Sequence, residues 1–342
     1  MSIIGTSLVL YKEMRFNVNH KRGLALVSCI LLMTLLIAFY LRFSGEAGLQ
    51  ARIDRNLNNA LRARLAAKAG LSMALSMLFR DTNATDHLKE EWAVTASQTL
   101  EKPIVLDGSS FTVKISDESG KMNVNLVDEE ILTDLFERAD IGIIASSSLL
   151  AESIKLGAAR RLAQHILDYI DADSSPRPMG AEADAYPNPN ENGPRNAQIL
   201  DIRELLNIPG ITRELFEGNN EKLGLIDLLT VNGDGKINLN TAPRVVIEAI
   251  PGPPGYDEDR RRQFFDEIWR TLPFTDVGAF GGLITRFDPW MAKEYYQKFV
   301  VFSTCFRVES TGMTENVKKR MFALVERDRF GHCKVERISE IP

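Results

Sequence analysis

The chain has few of the side chains on which most catalytic and transition-metal sites depend. Its 342 residues include four histidines and three cysteines. The histidines are scattered: His20 lies near the start, His87 and His165 stand alone, and His332 lies near the end. The sequence also has no G-x-S-x-G or Walker motif. No recognisable catalytic set remains, so we expect a protein that is not an enzyme.

Composition and charge narrow the class further. Hydrophobic residues make up 44% and charged residues 25% of the chain, which is ordinary for a globular protein and unlike a polytopic membrane protein. The length allows about two domains. A net charge of -5 gives no general basic surface for phosphates. We therefore do not expect nucleic acid as the main partner.

The N-terminal region has a long run without any charge. The basic pair Lys21 and Arg22 precedes Gly23, and the run from Leu24 to Leu41 is uncharged. It spans about 18 residues, near the lower limit for crossing a bilayer. A secretory signal would show small residues at a cleavage site after the apolar run, and the residues that follow offer no good one. The segment predicts a single-pass anchor, which either stays uncut or is cut after Gly23.

The hydrophobic pattern predicts an α+β fold. A 3.6-residue repeat continues from the membrane run to about Phe79, with Gly45 and Gly48 as weak points. Alternation predicts a strand at 111–115 and further strands after Lys298. The segment between them has a helical pattern. The economical arrangement is a long N-terminal helix packed on an antiparallel sheet, with an all-α domain inserted between the first and later strands.

An acidic loop in this helical segment is the best candidate for a metal site. It contains Asp171, Asp173, Glu182 and Asp184 and no His or Cys. Hard oxygen ligands on a flexible loop suit Ca²⁺ and argue against Zn²⁺. A solvated acidic loop is the alternative. A metal in this loop also leaves a metal-dependent periplasmic hydrolase as an alternative function, although the sequence shows no base or oxyanion partner for hydrolysis.

Three turn motifs have structural and functional interpretations. Segments 206–212 and 246–252 are typical of helix-hairpin-helix turns, which leaves a membrane-anchored DNA receptor as an alternative function. Neither turn has a basic cluster, which favours structural hairpins. Segment 230–238 resembles an EF-hand loop but lacks the acid at its first position. It predicts a turn, after which Asn240 or Thr241 caps the helix that begins at Pro243.

The cysteines outside the membrane run do not predict a disulfide. If residues 298–339 form a meander, Cys305 and Cys333 lie on non-adjacent strands and out of register. Bridging requires Cα atoms within about 7 Å of each other. Cys29 lies in the membrane run, where a small apolar role is expected.

Several motifs, taken in chain order, resemble one family. The cut at Gly23 and the helix behind it resemble a type IV prepilin. Pilin-like subunits usually have Glu at the fifth position after the cut, where this chain has Ser28. The full set resembles general secretion pathway protein K, the large minor pseudopilin of type II secretion systems. The segments that carry this resemblance are 22–27, 117–125, 170–173 with 176–182, and 232–242.

The resemblance implies processing, partners and a cellular location. It implies cleavage between Gly23 and Leu24 and N-methylation by the prepilin peptidase. It also implies a tip complex with other minor pseudopilins, docking to the inner-membrane secretion platform, a C-terminal bulk in the periplasm, and calcium in the helical domain. A subunit at the tip has no neighbour above it and can dispense with the Glu. The predicted domains are a leader at 1–23, a transmembrane helix at 24–41, a pilin-like domain at 42–127 and 291–342, and an inserted helical domain at 128–290.

Overall fold

The structure is a computed structural model. For residues 6–23 it describes the backbone without the side chains. The described ranges are 6–141, 151–188, 193–219, 222–251, 258–287, 297–328 and 331–341. Contacts divide the chain into two compact units, residues 1–62 with 315–317 and residues 63–314 with 318–342.

The helices and strands are numbered in chain order. The α-helices are α1 Thr6–Arg80, α2 Glu91–Glu101, α3 Glu129–Arg138, α4 Ala151–Ile170, α5 Arg213–Glu217, α6 Leu225–Leu228, α7 Arg244–Glu248, α8 Glu258–Thr271 and α9 Val277–Phe287. Short 3-10 helices cover Ala183–Ala185 and Ile202–Asn207. The strands are β1 Ile104–Leu106, β2 Ser109–Asp117, β3 Met122–Asn123, β4 Leu229–Thr230, β5 Ile237–Asn238, β6 Phe299–Val300, β7 Cys305–Met313, β8 Lys318–Arg327 and β9 Cys333–Ile341.

Most of helix α1 belongs to the first unit. Judged by length and composition, it is the one helix among the described residues that is both long enough and apolar enough to cross a membrane. The apolar side chains that begin at Leu24 are exposed. The helix is continuous through Gly45 and Gly48, where the sequence predicted weak points. It ends at Arg80, one residue past the predicted end.

A five-stranded antiparallel sheet lies in the second unit. Its strand order is β1-β2-β7-β8-β9. Apolar side chains of the sheet share a core with the end of α1 and with α2. Trp92 of α2 meets Phe306 of β7 edge to face, with ring centroids 5.3 Å apart. Other buried members of this core are Ala66, Leu71, Ala74, Leu78, Val113, Val308, Ala323 and Val325. The predicted α+β class is confirmed.

Two details near the first strands differ from the prediction. The strand predicted at 111–115 is β2, and the unpredicted β1 precedes it in a hairpin that turns at Asp107 and Gly108, both with positive φ. The stretch between α1 and β1, for which the sequence predicted no element, contains α2, and the buried Thr99 of α2 hydrogen-bonds to the sheet. The Thr99 hydroxyl accepts from the Val113 N–H at 2.8 Å. The helical insertion therefore follows the second strand of the sheet.

The inserted segment has a hydrophobic core of its own. The cluster runs from Met122 to Val301 and shares no residue with the core under the sheet. Two short parallel ladders, β3–β4 and β5–β6, accompany its helices, so the insertion is not purely helical. Residue 290, the predicted end of the inserted domain, lies outside the described residues. The predicted domain limits stay a prediction.

The two cysteines of the sheet are free thiols. Cys305 lies on β7 and pairs across the strands with Glu326, whereas Cys333 lies on β9 and pairs with Arg327. Strand β8 separates the two cysteines, as the predicted meander required. Burial raises the pKa of both thiols, which keeps them in the unreactive protonated form.

Strand β7 approaches helix α1 most closely at Gly312. A Cβ atom on Gly312 would lie 1.9 Å from the Ala63 carbonyl oxygen and 2.5 Å from the Ala67 nitrogen. Both are backbone atoms of a helix and cannot rotate away. A residue without Cβ is therefore required for this contact.

We expect Gly312→Ala to lower the free energy of unfolding by about 3 kcal/mol, because the strand must move off the helix. Thermal or urea unfolding of the detergent-solubilised chain measures the loss. Gly157→Ala in α4 is the matched control, since nothing lies within 4 Å of its added Cβ, and it should be neutral or slightly stabilising. Equal stability of the two variants would contradict the contact.

A buried hydrogen-bond network joins the sheet to the inserted segment. The Asp117 carboxylate, at the end of β2, accepts from the Ser303 hydroxyl at 2.5 Å and from the Thr241 hydroxyl at 2.5 Å. Ser303 also donates its backbone N–H to the Asp86 carboxylate at 2.6 Å. One serine thus links two buried carboxylates from different parts of the sequence.

The prediction that Asn240 or Thr241 caps the helix after Pro243 is wrong. Helix α7 begins at Arg244 with Pro243 at its cap position and without a side-chain cap. Thr241 is engaged by the carboxylate of Asp117, and the Asn240 amide exchanges hydrogen bonds of 2.9 and 2.8 Å with the backbone of Phe274. An unsatisfied buried acceptor costs more than an open helix end, which water can solvate.

Arg327 of β8 completes the network. Its guanidinium donates to the Asp86 carboxylate and, at 3.0 Å, to Asp81. Asp86 has no exposed surface. Burial raises the pKa of Asp86 to about 7, although the Arg327 charge favours the ionised form. Burial also raises the pKa of Asp117.

We expect Arg327→Met to destabilise the protein more at pH 8 than at pH 5. The folded-state pKa of Asp86 lies above its ordinary value of 3.8, so its contribution to stability is present below pH 4 and is lost as the pH rises through about 7. Arg327 opposes that loss by stabilising the ionised carboxylate. Its removal should cost about 3–5 kcal/mol at pH 8 and at least about 1 kcal/mol less at pH 5.

Unfolding in denaturant at the two pH values provides the measurement. Arg270→Met is the control, because Arg270 is 78% exposed and its pair with Glu267 lies at the surface; its effect should stay within about 0.5 kcal/mol. A loss from Arg327→Met that does not change with pH would show that Asp86 does not titrate in this window.

Candidate metal site in the acidic loop

The acidic loop begins where α4 ends, and Asp168 in the last turn of α4 holds it in place. Asp168 has no exposed surface. Its carboxylate accepts from the backbone N–H of Arg177 at 3.2 Å and of Ala181 at 2.9 Å. Gly180 packs against it so closely that a Cβ would lie 1.8 Å from the Asp168 oxygen. The loop therefore folds back onto the helix.

This fold-back gathers three of the predicted ligands. One carboxylate oxygen each of Asp171, Asp173 and Glu182 lies within 4.8 Å of the others. Asp184, the fourth predicted residue, is not in this group; it lies in the exposed 3-10 helix that follows Glu182. The structure therefore supports a three-carboxylate cluster within the described residues.

Unsatisfied oxygens mark the interior of this cluster. Glu182 is 4% exposed, and both its carboxylate oxygens are buried without a hydrogen-bond partner. The Oδ1 atom of Asp171 is likewise buried and without a partner. Burial, followed by the charges of Asp168, Asp171, Asp173 and Asp184, raises the pKa of Glu182. Unpaired buried carboxylates are costly, so a cation fits the donor set present here.

Two residues of the site were not assigned a role from the sequence. Asp168 lies in α4, three positions before Asp171, which directly follows the helix; this spacing could have been noticed. Arg177 lies in a segment that carried the family resemblance, but its partners were not predictable. Its Nη1 atom lies 2.5 Å from Asp168 Oδ1 and 2.5 Å from Asp171 Oδ2.

A second carboxylate group, formed by Asp81, Asp86 and Glu90, also has ligand atoms within 4.8 Å of one another. Arg327 already pairs with both aspartates. Glu90 accepts from the Trp92 indole N–H at 2.8 Å. These oxygens have protein donors, so we do not assign a cation to this group.

The first hairpin is a packing element in the structure. Ile208 and Ile211 of its turn are buried in the core of the inserted segment. Thr212 caps α5 by accepting from the Leu215 N–H at 3.2 Å, and Arg213 forms an exposed ion pair with Glu217. The turn of the second hairpin lies partly outside the described residues, from residue 252 onward.

The fold and the inserted segment together define a class. The C-terminal part of a long N-terminal helix packs on an antiparallel sheet, and a mostly helical insertion interrupts the sequence of that sheet. This is the α+β fold expected of a pilin-like protein with a large added domain. Residues 120–218 match the model of the family described as Type II secretion system (T2SS), protein K. The match falls on the inserted segment and confirms the resemblance to this family drawn from the sequence motifs.

Two relatives extend this match. The chain is 28% identical over 206 residues to the putative type II secretion system protein K of Escherichia coli strain K12. The alignment covers 58% of this chain and 61% of that protein, less than two thirds of its length. A chain in the crystal structure of the GspK-GspI-GspJ complex from the enterotoxigenic Escherichia coli type 2 secretion system has a TM-score of 0.55 at 18% identity. It covers 86% of this chain and 99% of its own length, and at this identity the likeness concerns the fold.

Proposed function

We propose that this protein is a minor pseudopilin that caps the tip of the type II secretion pseudopilus and helps to initiate its assembly for protein export. The family match of residues 120–218 carries the proposal, because it falls on the inserted segment that distinguishes this chain from a simple pilin-like subunit. The role is structural rather than enzymatic. The fold match to a chain of the GspK-GspI-GspJ complex supports other minor pseudopilins as partners.

The N-terminal helix would provide the anchor and the assembly surface. In this proposal the prepilin peptidase cuts after Gly23 and methylates Leu24, and the helix then docks with partner helices at the inner-membrane platform while the rest of the chain lies in the periplasm. Beyond the apolar run, α1 presents large apolar side chains at every fourth position. Each is at least half exposed; they are Leu49, Ile53, Leu57 and Leu61. Such a stripe is suited to helix-helix packing.

Ser28 supports a position at the tip. Its hydroxyl donates to the Leu24 carbonyl of the same helix at 2.9 Å, so it needs no partner from a neighbouring subunit. A carboxylate in the membrane would need the N-terminal ammonium of a subunit above it. The insertion between β2 and β7 adds bulk that opposes stacking of further subunits.

We expect Ser28→Glu to leave secretion unchanged or to impair it, since a tip subunit offers the new carboxylate no ammonium partner. Secretion of a type II substrate and labelling of the protein on overproduced filaments are the measurements. Ser28→Ala, which preserves an uncharged helix, is the control and should support normal secretion. Labelled Ser28→Glu protein at regular intervals along the filaments would overturn the tip assignment.

A calcium ion is the cofactor that the acidic loop suits best. Asp171, Asp173 and Glu182 would hold it. The buried unpartnered oxygens of Asp171 and Glu182 support this assignment. When bound, the ion would offset the negative charge of the carboxylates and stabilise the folded loop; it has no chemical step to perform. The donor set is all oxygen, which suits Ca²⁺ rather than a soft metal.

We expect saturating Ca²⁺ to raise the melting temperature of the chain over that in EDTA by roughly 5–10 °C, through binding to the folded state. Asp173→Asn should remove most of this shift, because it deletes a ligand charge and preserves the side-chain shape. Asp184→Asn is the matched control and should retain it. An unchanged melting temperature in the wild type would refute the calcium assignment, and equal loss in both variants would refute the three-residue ligand set.

A further inference from the structure

Arg177 occupies an unusual place in the acidic loop. Its guanidinium contacts Asp168, which shapes the loop, and Asp171, which belongs to the candidate metal ligands. A third carboxylate, that of Glu129 on α3, lies 3.9 Å from its Nε atom. One cation of the chain thus connects α3, the end of α4 and the loop.

The guanidinium pairs with one side of the acidic cluster and balances one of its charges. It takes the Oδ2 atom of Asp171, whereas Oδ1 of the same carboxylate is buried without a partner. Both oxygens of Glu182 are also without a partner. Asp168, Asp171, Asp173 and Glu182 carry four formal negative charges, and the one positive charge of Arg177 leaves three of them unbalanced. Arg177 pairs with the Asp168 side of the cluster, and the partnerless oxygens of Asp171 and Glu182 are left for a second cation.

The hydrogen bonds of the loop also distinguish the segment next to Arg177 from the inner carboxylate oxygens. The segment next to Arg177 is attached to α4 by protein donors, through Asp168 and through the Met179 N–H, which donates to Gln164 at 2.7 Å. The inner oxygens have no such donors. Attachment of the loop therefore depends on Asp168 and Arg177, whereas neutralising its interior requires a second cation.

We infer that Arg177 is a positioning residue that acts as an internal counter-cation: it keeps the acidic loop closed on α4 without a divalent ion and orients Asp171 so that its free oxygen faces the ion. The inference rests on the metal site proposed above. It predicts that the wild-type loop is already folded without calcium and that calcium adds stability to a preformed site. Without Arg177, closure of the loop should depend on calcium.

The test compares melting temperatures of the full detergent-solubilised chain in EDTA and in excess CaCl₂. We expect Arg177→Met to lower the melting temperature in EDTA on the order of 10 °C, because buried Asp168 loses its charged partner. Calcium should restore about half of that loss or more, so the calcium-induced shift is larger in Arg177→Met than in the wild type. Arg177→Lys keeps the positive charge on a shorter side chain. Its calcium-induced shift should lie between those of the wild type and Arg177→Met.

Arg160→Met is the matched control. Arg160 lies 3.7 Å from the same Glu129 carboxylate and is half exposed, but it has no ion pair with Asp168 or Asp171 among the described contacts. It should leave the calcium-induced shift at the wild-type value. Amide hydrogen exchange adds a local measurement: the Ala181 N–H, bound to Asp168, should exchange slowly in wild-type protein in EDTA, quickly in Arg177→Met in EDTA, and slowly again with CaCl₂.

The outcomes separate this inference from the metal site. Equal losses from Arg177→Met with and without calcium, alongside a normal wild-type response, would make Arg177 an ordinary ion pair and overturn the inference alone. No response of the wild type to calcium would refute both the metal site and the inference. If Arg177→Met does not fold in either condition, Arg177→Lys decides: a wild-type calcium shift in that variant overturns the inference, and an enlarged one supports it.

Discussion

The buried carboxylates of Asp86 and Asp117 set the main constraint on this fold. Each is buried and must be satisfied by groups from distant parts of the chain. Ser303 reaches both, and Arg327 neutralises one of them. The network therefore fixes the end of β2, the return of the chain before β7 and the end of β8 in one arrangement. Packing of two hydrophobic cores that share no residue would not impose such an arrangement on its own.

Segments that carried the family resemblance meet at the same end of β2. Glu118 follows Asp117 and is equally buried; its pKa is lowered because Lys121 and Arg307 outweigh the effect of burial. Thr230, from the EF-hand-like segment, donates to the Glu118 carboxylate at 2.6 Å. Two motifs that are far apart in sequence thus meet in one buried junction. Their polar residues act as structural groups, which accounts for an EF-hand-like loop without the acid that calcium would require.

The parts of the fold that have a regular hydrophobic repeat were predictable. The repeat of α1 ended within one residue of the observed end, and the C-terminal meander appears as β7, β8 and β9. Helix α2 was not predicted, because its hold on the sheet comes from tertiary contacts of Trp92 and Thr99 that no local pattern contains. In the acidic loop, composition identified the carboxylates. The roles of Asp168 and Arg177 depend on how the loop folds back, which spacing alone does not specify.

The insertion between β2 and β7 also affects the order in which the chain can fold. Asp117 and Ser303, which are hydrogen-bonded in the folded protein, are 186 positions apart in the sequence. Closing so long a loop is slow compared with forming local contacts. Until β7 pairs with it, β2 therefore has an open edge. During synthesis from the N-terminus β2 emerges first, and the inserted segment, with its own core, follows. An early and self-sufficient insertion would shorten the effective loop and limit the time during which that open edge can pair with another chain.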